Sequence, residues 1–276
     1  KAKKIESPAI HDIVSQNKAE MSNLKSVFSV TKTDEKNFWA SYLSKFFVIM
    51  KSNDYQNLLS LIAQLLGEVG DECSLLDAGC GNGHFGAWLL CNLDSVVKKN
   101  AQRVSFQYTG LDFAESAIDE AKGLHNDIWT KAASSKNGLR KVECEFKYIV
   151  SDLEEDIPFE ANVFDKICCN LVISYLKDYQ KMLKNLFLHL KPGGKIVISS
   201  LKPYSDLSLI YKNYIDQNVS IEDILEGRNL LSSAGKIKHK EKQGHYHFFT
   251  EHELAKLMVN SGFIGVKTRT CPEFPD

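Results

Sequence analysis

Four glycines fall within eight residues in the stretch LLDAGCGNGHFG (75–86), at Gly79, Gly81, Gly83 and Gly86. Glycine weakens helices and strands, so a cluster inside ordered structure needs a reason. Either the backbone must turn through positive φ, or something must approach it closely. The residues before the cluster, Cys73 to Leu76, read as a strand end, and those after it, from Phe85, read as a helix. A strand, a glycine turn and a helix in that order open a parallel α/β sheet, in which ligands bind beyond the carboxyl ends of the strands.

The same rhythm recurs along the chain. Strands are expected over 74–78, over 104–111 ending at Asp112, over 145–150 ending near Asp152, and over 163–170, 195–200 and 263–268. Helices are expected from about His84, over 114–122, over 179–190, and from Thr250, where Glu253 three residues on completes a capping box. Lys191-Pro192-Gly193-Gly194 reads as a turn, and 123–141, with SSKNG, as an inserted loop or short helix. The expected fold is a Rossmann-like, doubly wound, mostly parallel sheet with helices on both faces. A helical segment over 1–70 precedes it as a cap or lid, its apolar positions recurring at helical spacing (Phe38, Tyr42, Leu43, Phe46, Phe47, then 58–66) and its first twenty residues polar and frayed. The core is expected over 71–276, interrupted by a cap insertion at 203–247 that holds Tyr204, Tyr211, Tyr214, the basic stretch KIKHKEK (236–242), read as a solvated loop, and HYHFF.

Bulk properties remove several classes. The 276 residues carry a net charge of −1, 43% hydrophobic and 25% charged residues, which suits a globular protein and not a general binder of nucleic acid or membrane surface. Seven cysteines form no CxxC pair, and Cys168-Cys169 lie side by side in an apolar run; this suits reduced, buried thiols, not a disulfide framework or zinc site, and no metal site is expected. With no apolar run of membrane-spanning length and no leader-like segment in the sequence, a cytoplasmic location is the default expectation.

Two ligand registers compete at the loop. Gly81-x-Gly83-x-x-Gly86 fits a dinucleotide fingerprint, and Asp77-x-Gly79-x-Gly81-x-Gly83 fits a loop that binds S-adenosylmethionine. The acids around it favour the second. Asp77 has no evident task beside a pyrophosphate but suits a cationic ammonium or sulfonium, directly or through water. Asp112 can accept both ribose hydroxyls, in an NAD site as well, or cap the following helix. Ser151-Asp152-Leu153 offers a carboxylate to an exocyclic amine and an apolar side chain to an adenine ring, or caps a turn.

At these residues the chain resembles the class I S-adenosylmethionine-dependent methyltransferases of the small-molecule type. The likeness is carried by LLDAGCGNGHFG (75–86), YTGLDFAESAIDEAK (108–122), SDLEEDIPFEANVFDKICCNLVISYLKD (151–178), LKPGGKIVISS (190–200) and, later, FFTEHELAKLMVNSGF (248–263). It spans roughly 70–268 and implies S-adenosylmethionine as cofactor. By resemblance, Gly79, Gly81 and Gly83 meet the amino-acid end of the cofactor, and Asp112 meets the ribose with Phe113 beside the adenine. Asp152 and Leu153 bracket the adenine, and Asn170 and Leu171 face the methionine part. The chain departs from the family in two places: Asp77 and Asp112 are 35 positions apart, which implies a longer first helix or an extra turn, and no seventh strand follows Thr268. A cut chain, a substituting segment and a six-stranded sheet are the alternatives for the second.

Methyl transfer from a sulfonium is an in-line displacement, so the protein's part is chiefly to align the acceptor and exclude water. Acceptor-site candidates are Tyr175, Tyr204, His245 and His247; the two histidines flank Tyr246 on one side of an extended segment and either could act as a base. The expected acceptor is an O, N or C atom of a small molecule. Alternatives are a tRNA or protein substrate held through 236–242, a scaffold that has lost the reaction, and a nicotinamide oxidoreductase. Asn170-Leu171-Val172-Ile173 differs from the Asn-Pro-Pro-Tyr type of nucleic-acid adenine methylation, and Cys271-Pro272 lies at the wrong end of the chain for a cytosine-C5 nucleophile.

Overall fold

The structure, a computed structural model, describes residues 32–44, 46–97, 104–134, 142–205 and 220–271. The first twenty residues, most of SSKNG, and Tyr211 and Tyr214 lie outside them. The chain divides into two units, Lys1–Phe38 and Trp39–Asp276. The sheet and the candidate site belong to the second.

Helix α1 (Lys32–Leu43) is followed by the single turn α2 (Phe47–Met50) and by α3 (Asn53–Leu66). Ser52 caps α3, its hydroxyl accepting from the Tyr55 N–H, and the helix buries Leu58, Leu59, Ile62, Ala63 and Leu66 along one face before Gly67 turns the chain at φ +77°. Lys166 fixes the end of α3 to the sheet: its ammonium donates to the carbonyls of Leu66 (2.5 Å) and Gly67 (3.0 Å).

The sheet consists of β1 (Cys73–Ala78), β2 (Val104–Asp112), β3 (Val142–Val150), β4 (Phe164–Asn170) and β5 (Leu190–Ser199), in the order β3-β2-β1-β4-β5 and parallel throughout. Strand order reverses between β1 and β4, so a ligand cleft is expected above that pair. β1 is shut in by its neighbours, with Leu75, Leu76 and Ala78 almost wholly buried. Between β1 and β2 run α4 (His84–Cys91) and an extra turn, α5 (Leu93–Val96), which accounts for part of the long span from Asp77 to Asp112. Helix α6 (Glu115–Ser134) crosses to β3, α7 (Tyr179–His189) links β4 to β5, and α8 (Ile221–Lys242) and α9 (Glu251–Asn260) follow. The Thr250–Glu253 capping box that opens α9 is formed in both directions.

Four expectations are corrected. Helix α6 runs past Lys122 to Ser134, because Gly123 lies within it without ending it and His125 and Trp129 continue its packed face. Lys191-Pro192-Gly193-Gly194 is no turn between elements but an irregularity inside β5: the register slips between Phe164 and Lys166, with Gly193 at φ +77°. The stretch 236–242 is the end of helix α8, not a loop. The segment 263–268 is not a strand. Gly262 (φ +103°) and Gly265 (φ +64°) break its extension, Phe263 is anchored against Phe187, and Ile264 is 95% exposed. Among the described residues β5 is therefore an edge strand, and a groove of about 1420 Å³ runs along it between α3, α9 and this segment.

Candidate functional site

The glycine loop lies at the carboxyl end of β1. Gly79, Gly81 and Gly83 have φ of +77°, +51° and +81°, the left-handed region that other residues enter at a cost, so the turn itself calls for glycine. Each also lets a protein group come close. A Cβ on Gly79 would lie 2.5 Å from Val172; one on Gly83 would meet Ala121 at 2.8 Å and His125 at 2.7 Å; one on Gly86 would meet His125 at 2.4 Å and Tyr108 at 2.8 Å. Gly81 is different, since a Cβ there meets only the tip of Leu43, at 3.2 Å. The loop thus serves packing at Gly83 and Gly86, and Gly81 is the position where a ligand meets least resistance.

The β2 side of the loop is held by hydrogen bonds. Asp112 is 7% exposed; Oδ2 accepts from the Gly81 N–H and Oδ1 from the Ala114 N–H, both at 2.9 Å. Burial raises its pKa, and these backbone bonds oppose the rise. Each oxygen keeps a lone pair for a further donor. Asp77, 1% exposed, lies beneath the loop and accepts from the Tyr108 hydroxyl at 2.6 Å. Burial pushes its pKa up to about 7, the Tyr108 bond works against this and the charge of Asp112 adds to it. His125 Nε2 lies 2.6 Å from the Gly83 carbonyl, so it carries the proton there, and Nδ1 accepts from the Tyr148 hydroxyl at 2.6 Å.

Beyond Asp112, Phe113 is half-buried. Ser151 donates its N–H to the Asp112 carbonyl, Asp152 Oδ1 accepts from the Glu154 N–H as a turn cap, and Leu153 is buried. On the β4 side, Asn170 Oδ1 accepts from the Ser199 hydroxyl at 2.6 Å and its amide donates to the Tyr55 hydroxyl at 3.3 Å. Leu171 turns out of the strand at φ +57°, its N–H bonded to Ser199. Asp112, Ser151, the glycine loop and Asn170 therefore line one edge of the sheet, at the strand ends.

Aromatic rings close the β4 end. Tyr175, in the single turn Ile173–Tyr175, packs against Trp39 (4.5 Å between centroids), Tyr246 (5.3 Å) and Phe248 (5.9 Å). Burial holds the Tyr175 phenol well above its ordinary pKa. His245 and His247 point outward and are exposed, with the His247 ring against Phe249, while Tyr246 between them turns in; Tyr204 is 83% exposed. Of the four acceptor-site candidates, only Tyr175 is brought to the strand ends.

Spacing did not reveal Leu43, Tyr55, Trp39, Val172, Tyr246 or His125 as parts of the site, because their contacts join distant segments. His84 did carry a signal, since it follows the loop directly. It is the first residue of α4, its ring stacked on Phe46 at 6.1 Å and 12°. Both its nitrogens, and Asn82 Oδ1, are buried without a hydrogen-bond partner among the described residues. Asn82 Nδ2 donates to Glu120 and to the Leu43 carbonyl.

These features fit an adenosyl cofactor. Asp112 retains acceptor capacity for ribose hydroxyls, only a flexible side-chain tip covers Gly81, and the unpaired polar atoms of Asn82 and His84 lie beside the loop. Among the described residues no cluster of His, Cys, Asp and Glu could hold a metal ion, and no helix is long and apolar enough to cross a membrane.

Residues 50–268 match the sequence model of a family described as a methyltransferase domain. The chain is 24% identical over 207 residues to the demethylmenaquinone methyltransferase of Staphylococcus aureus strain JH9, covering 71% of this chain and 69% of that protein. Among solved structures it is similar to an S-adenosylmethionine-dependent methyltransferase from Thermotoga maritima (18% identity, 82% of this chain and 81% of that one, TM-score 0.47). It is also similar to phosphoethanolamine N-methyltransferase 2 of Haemonchus contortus, solved with phosphomonomethylethanolamine and S-adenosylhomocysteine (21% identity, 85% of this chain and 43% of that one, TM-score 0.47).

Proposed function

The chain belongs to this methyltransferase-domain family and is an S-adenosylmethionine-dependent methyltransferase; from that premise we propose that its acceptor is a small molecule, methylated at an O, N or C atom beneath the aromatic roof at the end of β4. The bound cofactor supplies a methyl group already activated by its sulfonium. Asp112 holds the ribose, with Phe113, Asp152 and Leu153 around the adenine, and Asn170 and Leu171 flank the methionine part. Asp77 lies beneath the loop, and a cationic group above it would favour its ionised form. Trp39, Tyr175, Tyr246 and Phe248 exclude water and orient the acceptor, and alignment of this kind is the main catalytic demand of such a displacement.

One observation carries the preference for a small acceptor. Two of the four lysines at the basic end of α8, Lys238 and Lys240, lie against aromatic rings, while Lys236 and Lys242 are exposed. Lys240 donates to the Tyr246 hydroxyl at 3.0 Å and lies 5.0 Å over its ring. Lys238 lies 2.8 Å from Glu241, 5.5 Å over the Tyr204 ring and 5.8 Å over that of Phe248. Cations committed to ring faces support an enclosed pocket and do not form the open basic track that RNA requires. The test is methyl transfer from radiolabelled cofactor to small phenols, amines and quinols, beside bulk tRNA and a protein extract. Label in a small compound, with tRNA and protein unlabelled, is the expected result; label in tRNA or protein alone would replace the proposal with the macromolecular reading.

A further inference from the structure

Among the described residues, the sheet stops before its last strand is covered. At matched register, Ile167, Cys168 and Cys169 of β4 are wholly buried, and Ile196, Val197 and Ile198 of β5 are only half-buried. β5 pairs with β4 alone among the described residues, and 195–199 line the groove, so the N–H and C=O groups directed to its other side face that space. Edge strands are commonly blunted by charge, proline or shortness. The run Ile196-Val197-Ile198 has none of these within it, and the irregularity of β5 lies before it, at 191–194.

Two further features describe what fits there. The exposed apolar residues of the groove are Leu65 on α3, Phe187 and Leu188 on α7, and Ile264 on the far wall. Its ionic lining is of one sign. Six cations and a single carboxylate, Glu251, border it, in a chain whose net charge is −1. Lys191 is paired with Asp165 at 2.8 Å and Lys202 with Glu251 at 3.6 Å. The other four, Lys184, Lys195, Lys267 and Arg269, are exposed and have no carboxylate partner among the described residues. The volume, about 1420 Å³, exceeds the roughly 300–1,000 Å³ of a small-molecule pocket.

These features select among occupants. A lipid surface would meet the apolar residues and the cations but leave the backbone groups of β5 without partners. A second copy laid face to face would bring the same cations against these. An extended polypeptide answers all three features: its backbone pairs with β5, its apolar side chains meet the groove walls, and its carboxylates meet the cations. We propose that the β5 groove is a docking site for an extended segment of a partner protein, a short apolar run flanked by acidic residues, which adds to the sheet as its next strand. The proposal does not depend on what binds at the glycine loop.

The probe is the fluorescein-labelled peptide Glu-Asp-Thr-Val-Phe-Val-Ile-Thr-Glu-Glu, followed by anisotropy as the full chain is added. Two companion peptides each change one property. One carries Lys at every acidic position; the other carries Pro in place of both valines, which removes backbone donors. The acidic peptide should bind, and each companion should bind about tenfold more weakly or worse. Hydrogen exchange of the 195–199 amides should slow when the acidic peptide is added. Lys267→Glu with Arg269→Glu, at exposed positions where the fold tolerates a change of charge, should reverse the order, so that the lysine peptide binds better than the acidic one. Equal binding of the acidic and lysine peptides, undiminished binding of the proline peptide, or unchanged exchange at 195–199 overturns the proposal. So does the failure of all three to bind. In that case co-sedimentation with vesicles of phosphatidylglycerol and phosphatidylcholine would give the groove to a lipid surface, and concentration-dependent self-association would give it to a second copy.

Discussion

On the β2 side of the glycine loop, Asp112 and His125 have both polar atoms of their side chains in hydrogen bonds and Asp77 is tied to Tyr108; at the start of α4, His84 has no such bond among the described residues. The first flank is built to hold the loop's shape, with carboxylates and an imidazole bonded across the sheet to backbone and phenol. The second leaves buried polar atoms unpaired among the described residues. A group that is satisfied in the free protein contributes mainly to stability, and one left unsatisfied is available to binding. Substitutions at packed positions should accordingly cost mainly stability, and those at positions that keep room or spare lone pairs for a ligand, Gly81 and Asp112 among them, mainly affinity.

The largest effect is expected at Asp77. Folded, it holds its proton up to about pH 7; unfolded, it loses it near pH 3.8. The folded chain therefore binds the extra proton between these values, and this contribution is greatest below about pH 4 and falls as pH rises through 7. Relative to Asp77→Asn, which does not titrate, the stability of the unsubstituted chain should fall by on the order of 4 kcal/mol across that window and then level off. Urea unfolding of both proteins from pH 4 to 8 measures the difference; a constant difference would place Asp77 in a more hydrated site.

Next comes Gly86→Ala. The new methyl meets His125 and Tyr108, and the His125 ring cannot turn aside without giving up both of its hydrogen bonds. Overpacking of this kind should cost about 3 kcal/mol, read as a lowered urea midpoint. Asp112→Ala comes third: it should weaken S-adenosylhomocysteine binding by about 1–3 kcal/mol, the scale of a lost charge-assisted bond. An affinity unchanged within error would move the ribose contact elsewhere. The smallest change in stability is expected for Gly81→Ala, about 1 kcal/mol for an alanine at positive φ, since only the Leu43 tip must give way. Its cofactor affinity should nonetheless fall about tenfold or more. A Gly81→Ala protein that binds normally, or one as unstable as Gly86→Ala, would erase the distinction between packed and ligand-facing positions.

The strands and the acids at their ends could be read from the chain because local chemistry marks them. Asp77, Asp112 and Asp152 each close an apolar run just where the pleated pattern stops, and all lie at the ligand edge of the sheet. The segment 263–268 has a similar pattern, but Gly262 and Gly265 adopt left-handed φ, which composition alone does not reveal. Gly79, Gly81 and Gly83 were expected to meet a ligand; Gly83 and Gly86 also make room for His125. His125 is 42 positions from Gly83, in a helix whose continuation past Gly123 depends on packing against β3, so no local spacing signals that contact. Tyr246 and Trp39 meet Tyr175 across still longer separations, which is why the roof was foreseen only as a cap of unspecified contacts.

The most direct test of the account is calorimetric titration of the purified chain with S-adenosylmethionine, S-adenosylhomocysteine and NADH. Micromolar binding of both adenosyl compounds, with no heat from NADH, is the predicted result. Binding of NADH alone, or of none of the three, would contradict the assignment of the glycine loop and of Asp112 to an adenosyl cofactor.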